Sequence, residues 1–163
     1  LHRRRHSFPT RRSSDLAELA AKRSTCYRGN VGAVIVLDNN PISLGYNGPP
    51  AGDAHCKGNS CEIHAETKGC LRSVHAEINP LHRIPLGTDC VSHSCDMFVT
   101  SNPCPACAAA IIDSGMIGRV YYQAPYRITT GIQEMVNAQI EVFRFSPSGY
   151  LVDEKTGQVL EAS

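Results

Sequence analysis

Short β-branched runs alternate along this chain with turn residues and with stretches whose apolar positions recur at helical spacing. That alternation predicts an α/β domain. From residue 15 or 16 to residue 24 the chain is built of good helix formers with a helical apolar stripe. Residues 31–37 form a β-branched run, 38–41 carry turn chemistry, and 42–46 return as a second strand, so the pair reads as a hairpin. Residues 47–74 make a long connection rich in Gly, Pro, Cys and His. A loop of that length inside a compact domain is usually functional or held by a metal. A helix is expected from His75 to about Arg83, with Pro80 tolerable only in its first turn. Further on, the pattern predicts strands at 96–100, 119–123 and 140–145 and helices at 104–114 and 130–138, the first of these helices ended by Gly115. Residues 150–152 could add one more strand, and 153–163 read as a polar C-terminal tail. The expected architecture is a three-layer α-β-α sandwich around a central mixed five-stranded sheet: a hairpin plus parallel crossovers, with helices on both faces.

Composition narrows this picture little. A chain of 163 residues suits one domain, and 42% hydrophobic with 19% charged residues suits a globular one. No apolar run approaches the roughly 20 residues of a membrane span, so no membrane partner is expected. The eight cysteines stand at metal-like spacings, which favours reduced thiols and a reducing, cytoplasmic setting.

Charge changes the picture more. Formal net charge is +1, yet Arg3, Arg4, Arg5, Arg11 and Arg12 all precede residue 17, against the single acid Asp15. Without residues 1–16 there are 11 basic and 14 acidic residues, a net of −3. The remaining domain, 17–152, has no basic surplus with which to grip a nucleic-acid backbone. Residues 1–16 show no helical periodicity and lack the apolar core of a signal peptide. The stretch 8–16 resembles the in-frame translation of a common sequencing adapter, so residues 1–16 are expected to be a non-native or disordered basic tail, with a natural basic arm as the alternative.

The candidate chemistry lies in His75-Ala76-Glu77 and, further on, Pro103-Cys104-Pro105-Ala106-Cys107. A CxxC alone would read as a structural metal knuckle. Joined to His-x-Glu it supplies three zinc ligands, His75, Cys104 and Cys107, and leaves one position for water, as hydrolytic zinc sites do. Cys104 and Cys107 fall where a loop enters a helix, and there the backbone N–H groups favour thiolates. Glu77 is near enough to carry protons between the water and a departing amine without ligating. The joint pattern matches the zinc nucleobase deaminases, which attack C4 of cytosine or C6 of adenine.

The chain resembles the cytidine deaminase superfamily, and within it the deoxycytidylate (dCMP) deaminases of bacteria and phages, from about Ala17 to Phe145. The resemblance is carried by Arg23-Ser24-Thr25-Cys26, by the run from Val31 to Val36, by the Gly45–Gly52 block with its Gly-Tyr-Asn-Gly core, by His55-Cys56, and by the two zinc half-motifs. It implies zinc-dependent conversion of dCMP to dUMP and ammonia, feeding thymidylate synthesis. It also implies that Asn47 bonds the nucleotide sugar, that the Ala76 amide contacts the pyrimidine carbonyl, and that Tyr126 faces the substrate. A second, structural zinc is implied at Cys26 and Cys56, with Cys61 and Cys70 as the other ligands and His64 as the substitute for either. Cys95 reads as core, and Cys90 has no evident role. Arg28, Arg127 and the Gly-rich backbone are the available donors to a 5′-phosphate. Related enzymes are homo-oligomers, often hexamers, activated by dCTP and inhibited by dTTP. Pro80, and the polar residues of 89–94, depart from the family pattern.

Two other readings compete. A tRNA adenosine deaminase shares the zinc motif but should carry a basic face for its stem-loop, which a net of −3 does not supply. A catalytically silent zinc module need not keep Glu77.

Overall fold

The computed structural model describes residues 11–56, 61–66, 69–146 and 149–161. Helix α1 (Arg11–Ala21) leads into the hairpin of β1 (Gly32–Leu37) and β2 (Asn40–Tyr46). A long connection follows and ends in the one-turn helix α2 (Ile78–Leu81). Then come β3 (Cys95–Ser101), α3 (Pro105–Ser114), β4 (Ile117–Ala124), α4 (Thr130–Asn137), β5 (Glu141–Phe145), β6 (Tyr150–Asp153) and β7 (Val159–Glu161). The strands form one sheet in the order β2-β1-β3-β4-β5-β6-β7. β3, β4 and β5 run parallel, joined by α3 and α4, while every other neighbouring pair is antiparallel.

Period-two alternation divides the sheet's residues between two cores. Ala33, Ile35, Met97, Val99, Val120, Tyr122 and Val142 face Ala76, Ala108, Ile111 and Met135 from the α2, α3 and α4 side. Val34, Val36, Phe98, Tyr121, Phe143 and Leu151 face Ala17 of α1 on the opposite side. Phe98, Tyr121 and Phe143 stack in series there, with centroids 4.8 and 5.1 Å apart. The expected three-layer α-β-α sandwich is therefore present, and its sheet is wider than the five strands expected.

The differences have local causes. β6 and β7 extend the edge through residues that read as tail: Leu151 is fully buried, and the Asp153 carboxylate accepts from the N–H groups of Lys155 and Thr156 to close the turn between the two strands. β2 begins at Asn40, because Asp38 and Asn39 both take positive φ and make a two-residue turn. Pro41 then sits opposite Val36 on an edge strand, where a missing donor is tolerated. The helix expected from His75 starts only at Ile78. A helix through His75 and Ala76 would need a donor at residue 80 for the Ala76 carbonyl, and Pro80 has none. Pro80 sits in the first turn instead, and its carbonyl accepts from Ser43 at 2.9 Å.

Of the basic segment expected to be a tail, residues 1–10 lie outside the described residues, whereas 11–16 belong to α1. Ser14 is buried and accepts a hydrogen bond from Gln123 at 2.6 Å. Among the described residues no helix is long and apolar enough to cross a membrane.

Candidate metal and nucleotide site

His75 and the two motif cysteines are delivered by different elements. The isolated bridge between Gly48 and Val74 fixes the chain just before His75. Gly45 lets that segment approach β2: a Cβ there would lie 2.3 Å from Pro80 Cδ and 2.5 Å from the Ala76 carbonyl oxygen. Cys104 is the N-cap of α3, with extended backbone at φ −71° and ψ 166°, and Cys107 lies in the helix's first turn. Nδ1 of His75 stands 3.2 Å from Cys107 Sγ and 3.4 Å from Cys104 Sγ. A tetrahedral zinc shell places its donor atoms about 3.5 Å apart, so these three side chains fit that metal.

Electrostatics match the geometry. Cys104 is lowered to about 4, chiefly because the Cys107 thiol donates to it and further by the hydrogen bond with His75. Cys107 is pushed strongly upward by the same hydrogen bond and by burial. His75 is raised, first by its bond to the Cys104 thiolate, against the opposing effect of burial. Glu77 is only 4% exposed, and burial raises its carboxyl despite the nearby His75 charge.

His75, Glu77 and Cys104 line a cavity of about 260 Å³, shared with Cys26, Arg28, Asn47, Ala76, Asn102, Tyr126 and Arg127. Asn47 is on the wall as expected, but its carboxamide is largely committed to the protein. Oδ1 accepts from Val31 N at 2.8 Å and Ser24 Oγ at 2.6 Å, and Nδ2 donates to the Gly29 carbonyl at 2.9 Å. One N–H of Nδ2 is left over for a ligand. Tyr126 lies half-buried on the opposite wall, with the Arg127 guanidinium 5.1 Å from its ring centroid. Asn102 was not singled out by its sequence, and its only signal there is a polar residue abutting Pro103.

A second group of thiols forms beside the cavity. Cys56, Cys61 and Cys70 bring their sulfurs within 4.8 Å of one another. Pairing of Ile63 with Cys70, and hydrogen bonds from Leu71 N to Glu62 O and from His64 N to Gly69 O, fold this segment back so that Cys61 meets Cys70. Burial, and then hydrogen bonding with Cys56, raise the Cys61 thiol to about 11. Cys26, expected as a fourth ligand, stands outside this group. Its backbone N–H donates to Ser24 Oγ at 3.2 Å, and that turn sets its buried side chain on the cavity wall instead. His64 accepts from Glu66 N through Nδ1 at 3.3 Å. Cys95 is fully buried in the core, as expected, and its thiol donates to Cys90 at 3.3 Å.

A His/Cys/Cys set at a helix N-terminus, beside a buried carboxyl and an open cavity, defines a zinc hydrolase of the kind that acts on nucleobases. The chain belongs to the cytidine and deoxycytidylate deaminase family, whose zinc-binding region matches residues 10–124. ComE operon protein 2 of Bacillus subtilis is 35% identical over 148 residues, which span 88% of this chain and 75% of that protein. The deoxycytidylate deaminase of Mycobacterium phage D29 is 39% identical over 116 residues, spanning 66% of this chain and 88% of that one. The crystal structure of dCMP deaminase from cyanophage S-TIM5 in complex with dCMP and dUMP superposes with a TM-score of 0.70 at 32% identity, over 82% of this chain and 94% of that one.

Proposed function

We propose that this protein hydrolyses dCMP to dUMP and ammonia. The observation that carries the reading is the convergence of His75, Cys104 and Cys107 beside the buried Glu77, at a cavity that also presents two arginines. Similarity to phage dCMP deaminases supports the choice of substrate. His75, Cys104 and Cys107 would hold the zinc, which would supply ionised water near neutral pH. Glu77, with its carboxyl raised by burial, would carry the water's first proton to the ring nitrogen and then the second, from the newly added hydroxyl, to the departing amine. The Ala76 N–H meets the pyrimidine carbonyl, the remaining Asn47 N–H meets the sugar, and Tyr126 packs on the substrate. Arg28 and Arg127 hold the 5′-phosphate by charge-assisted hydrogen bonds.

The close approach of Cys56, Cys61 and Cys70 supports a second, structural zinc at Cys26, Cys56, Cys61 and Cys70, with His64 as the substitute for Cys61 or Cys70. Assembly into a homo-oligomer, a hexamer by resemblance, control by dCTP and dTTP, and a cytoplasmic location belong to the same proposal. Residues 1–16 remain proposed as a non-native basic extension, 17–152 as the deaminase domain and 153–163 as a polar tail, with α1 and β7 reaching into the two flanks.

Ammonia release across dCMP, dCTP, deoxycytidine and a tRNA stem-loop tests the substrate. The expected result is a kcat/KM for dCMP about tenfold or more above that for deoxycytidine, as one charge-assisted hydrogen bond predicts. Equal rates on the two would make this a nucleoside deaminase. Activity confined to the stem-loop would overturn the nucleotide reading.

A further inference from the structure

Asn102 is only 3% exposed, yet it borders the cavity. It lies between the last residue of β3 and Pro103, which leads directly into the metal ligand Cys104. Its backbone N–H donates to the Ala124 carbonyl at 3.1 Å. Its carboxamide crosses to the loop that joins β4 to α4: the N–H of Tyr126 donates to Oδ1, and Nδ2 donates to the Ile128 carbonyl at 3.1 Å. One planar side chain therefore holds the backbone on both sides of Arg127. The amide supplies that acceptor and that donor from two separate atoms, whereas a carboxylate has no donor and an aliphatic chain has neither.

The far end of the loop has no comparable tether of its own. Thr129 is the N-cap of α4 and makes no side-chain cap. The helix start instead presses on the metal-ligand turn: a Cβ on Gly131 would lie 2.8 Å from the Pro103 carbonyl oxygen and 3.1 Å from the Cys104 carbonyl carbon. The turn bearing Cys104 and the loop bearing Tyr126 and Arg127 are thus clasped into one unit through Asn102.

We infer that Asn102 is a positioning residue that holds Tyr126 and Arg127 at the cavity and thereby sets the preference for a 5′-phosphorylated substrate. This rests on the dCMP reading above for the identity of the ligand, while the clasp itself does not.

The test compares wild-type enzyme with Asn102→Ala, Asn102→Asp, Arg127→Ala and the Asn102→Ala/Arg127→Ala pair, each checked for zinc content. Loss of the clasp should lower the ratio of kcat/KM for dCMP to that for deoxycytidine about three- to tenfold, mainly through KM, the scale of one or two hydrogen bonds. The double variant should be no worse than Arg127→Ala, since the two residues act on the same contact. Hydrogen exchange at the Tyr126 amide should quicken in Asn102→Ala and stay slow in Asn102→Asp, which keeps the acceptor. An equal loss on both substrates, or additive losses in the double variant, would overturn the positioning role. A wild-type enzyme without preference for dCMP would overturn the function proposed above. In that case the exchange measurement still decides the clasp, which unchanged exchange in Asn102→Ala would refute.

Discussion

His75 and Glu77 are two residues apart and meet opposite surroundings: the imidazole is exposed at the cavity, and the carboxyl is buried behind it. The meeting of His75, Cys104 and Cys107 was legible as a joint motif, of which only the Cys104–Cys107 spacing is fixed by the reach of a helical turn. The work of Asn47 and Asn102 was not legible, because a side chain that bonds distant backbone leaves no periodic trace. The same limit applies to Cys26, which stands apart from the Cys56, Cys61 and Cys70 group because its distance from Cys56 depends on the path of two loops. At this scale the charge states make a prediction. Without metal, Cys104 is a thiolate above about pH 4, Cys107 stays a thiol, and His75 holds its proton beyond the ordinary imidazole range. Zinc uptake near pH 6 should therefore release about two protons, one each from His75 and Cys107. Affinity should fall as pH drops through this window and level off in slope only where His75 is already neutral. Titration calorimetry in buffers of differing ionisation enthalpy reads the proton count, and a count near three would mean that Cys104 starts as a thiol.

Elements with a strong period were readable: β1, β3, β4, α3 and α4 fall within a residue or two of their expected bounds. α2 was not, because a single proline decided where the helix could begin. β6 was read only as a possible strand at 150–152, and β7 was missed, because strands this short carry too few alternations to stand out from polar turns. Two element-level predictions follow from packing. Gly45→Ala must move β2 away from Pro80 and Ala76, against backbone that cannot yield easily. A loss of about 1–3 kcal/mol in urea unfolding is expected, the range for overpacked sites, together with reduced activity, since Ala76 adjoins His75. Wild-type stability in that variant would show that the β2 contact does not hold the segment. For the folded-back cysteine segment, protein purified without chelator should contain close to two zinc ions per chain, and Cys56→Ser should contain one and unfold at lower temperature. A single zinc in both would leave Cys56, Cys61 and Cys70 as ordinary thiols.

Across the whole molecule, two hydrophobic cores grip one sheet, and the ligand-bearing turns all gather at the cavity beside the N-terminus of α3. The parallel β3-α3-β4 unit presents Cys104 and Cys107, the β4–α4 loop presents Tyr126 and Arg127, and the segment after the hairpin presents His75 and Glu77. A rigid frame with chemistry confined to its connections allows the reaction to be disabled without disturbing the metal. Deamination of dCMP by Glu77→Gln, measured by ammonia release on protein with wild-type zinc content, is the most direct test of the proton carrier at this site. Turnover should fall about 10²–10⁴-fold, the usual loss when general acid–base catalysis is removed, while zinc stays bound. Near-normal turnover by the zinc-loaded variant would contradict it.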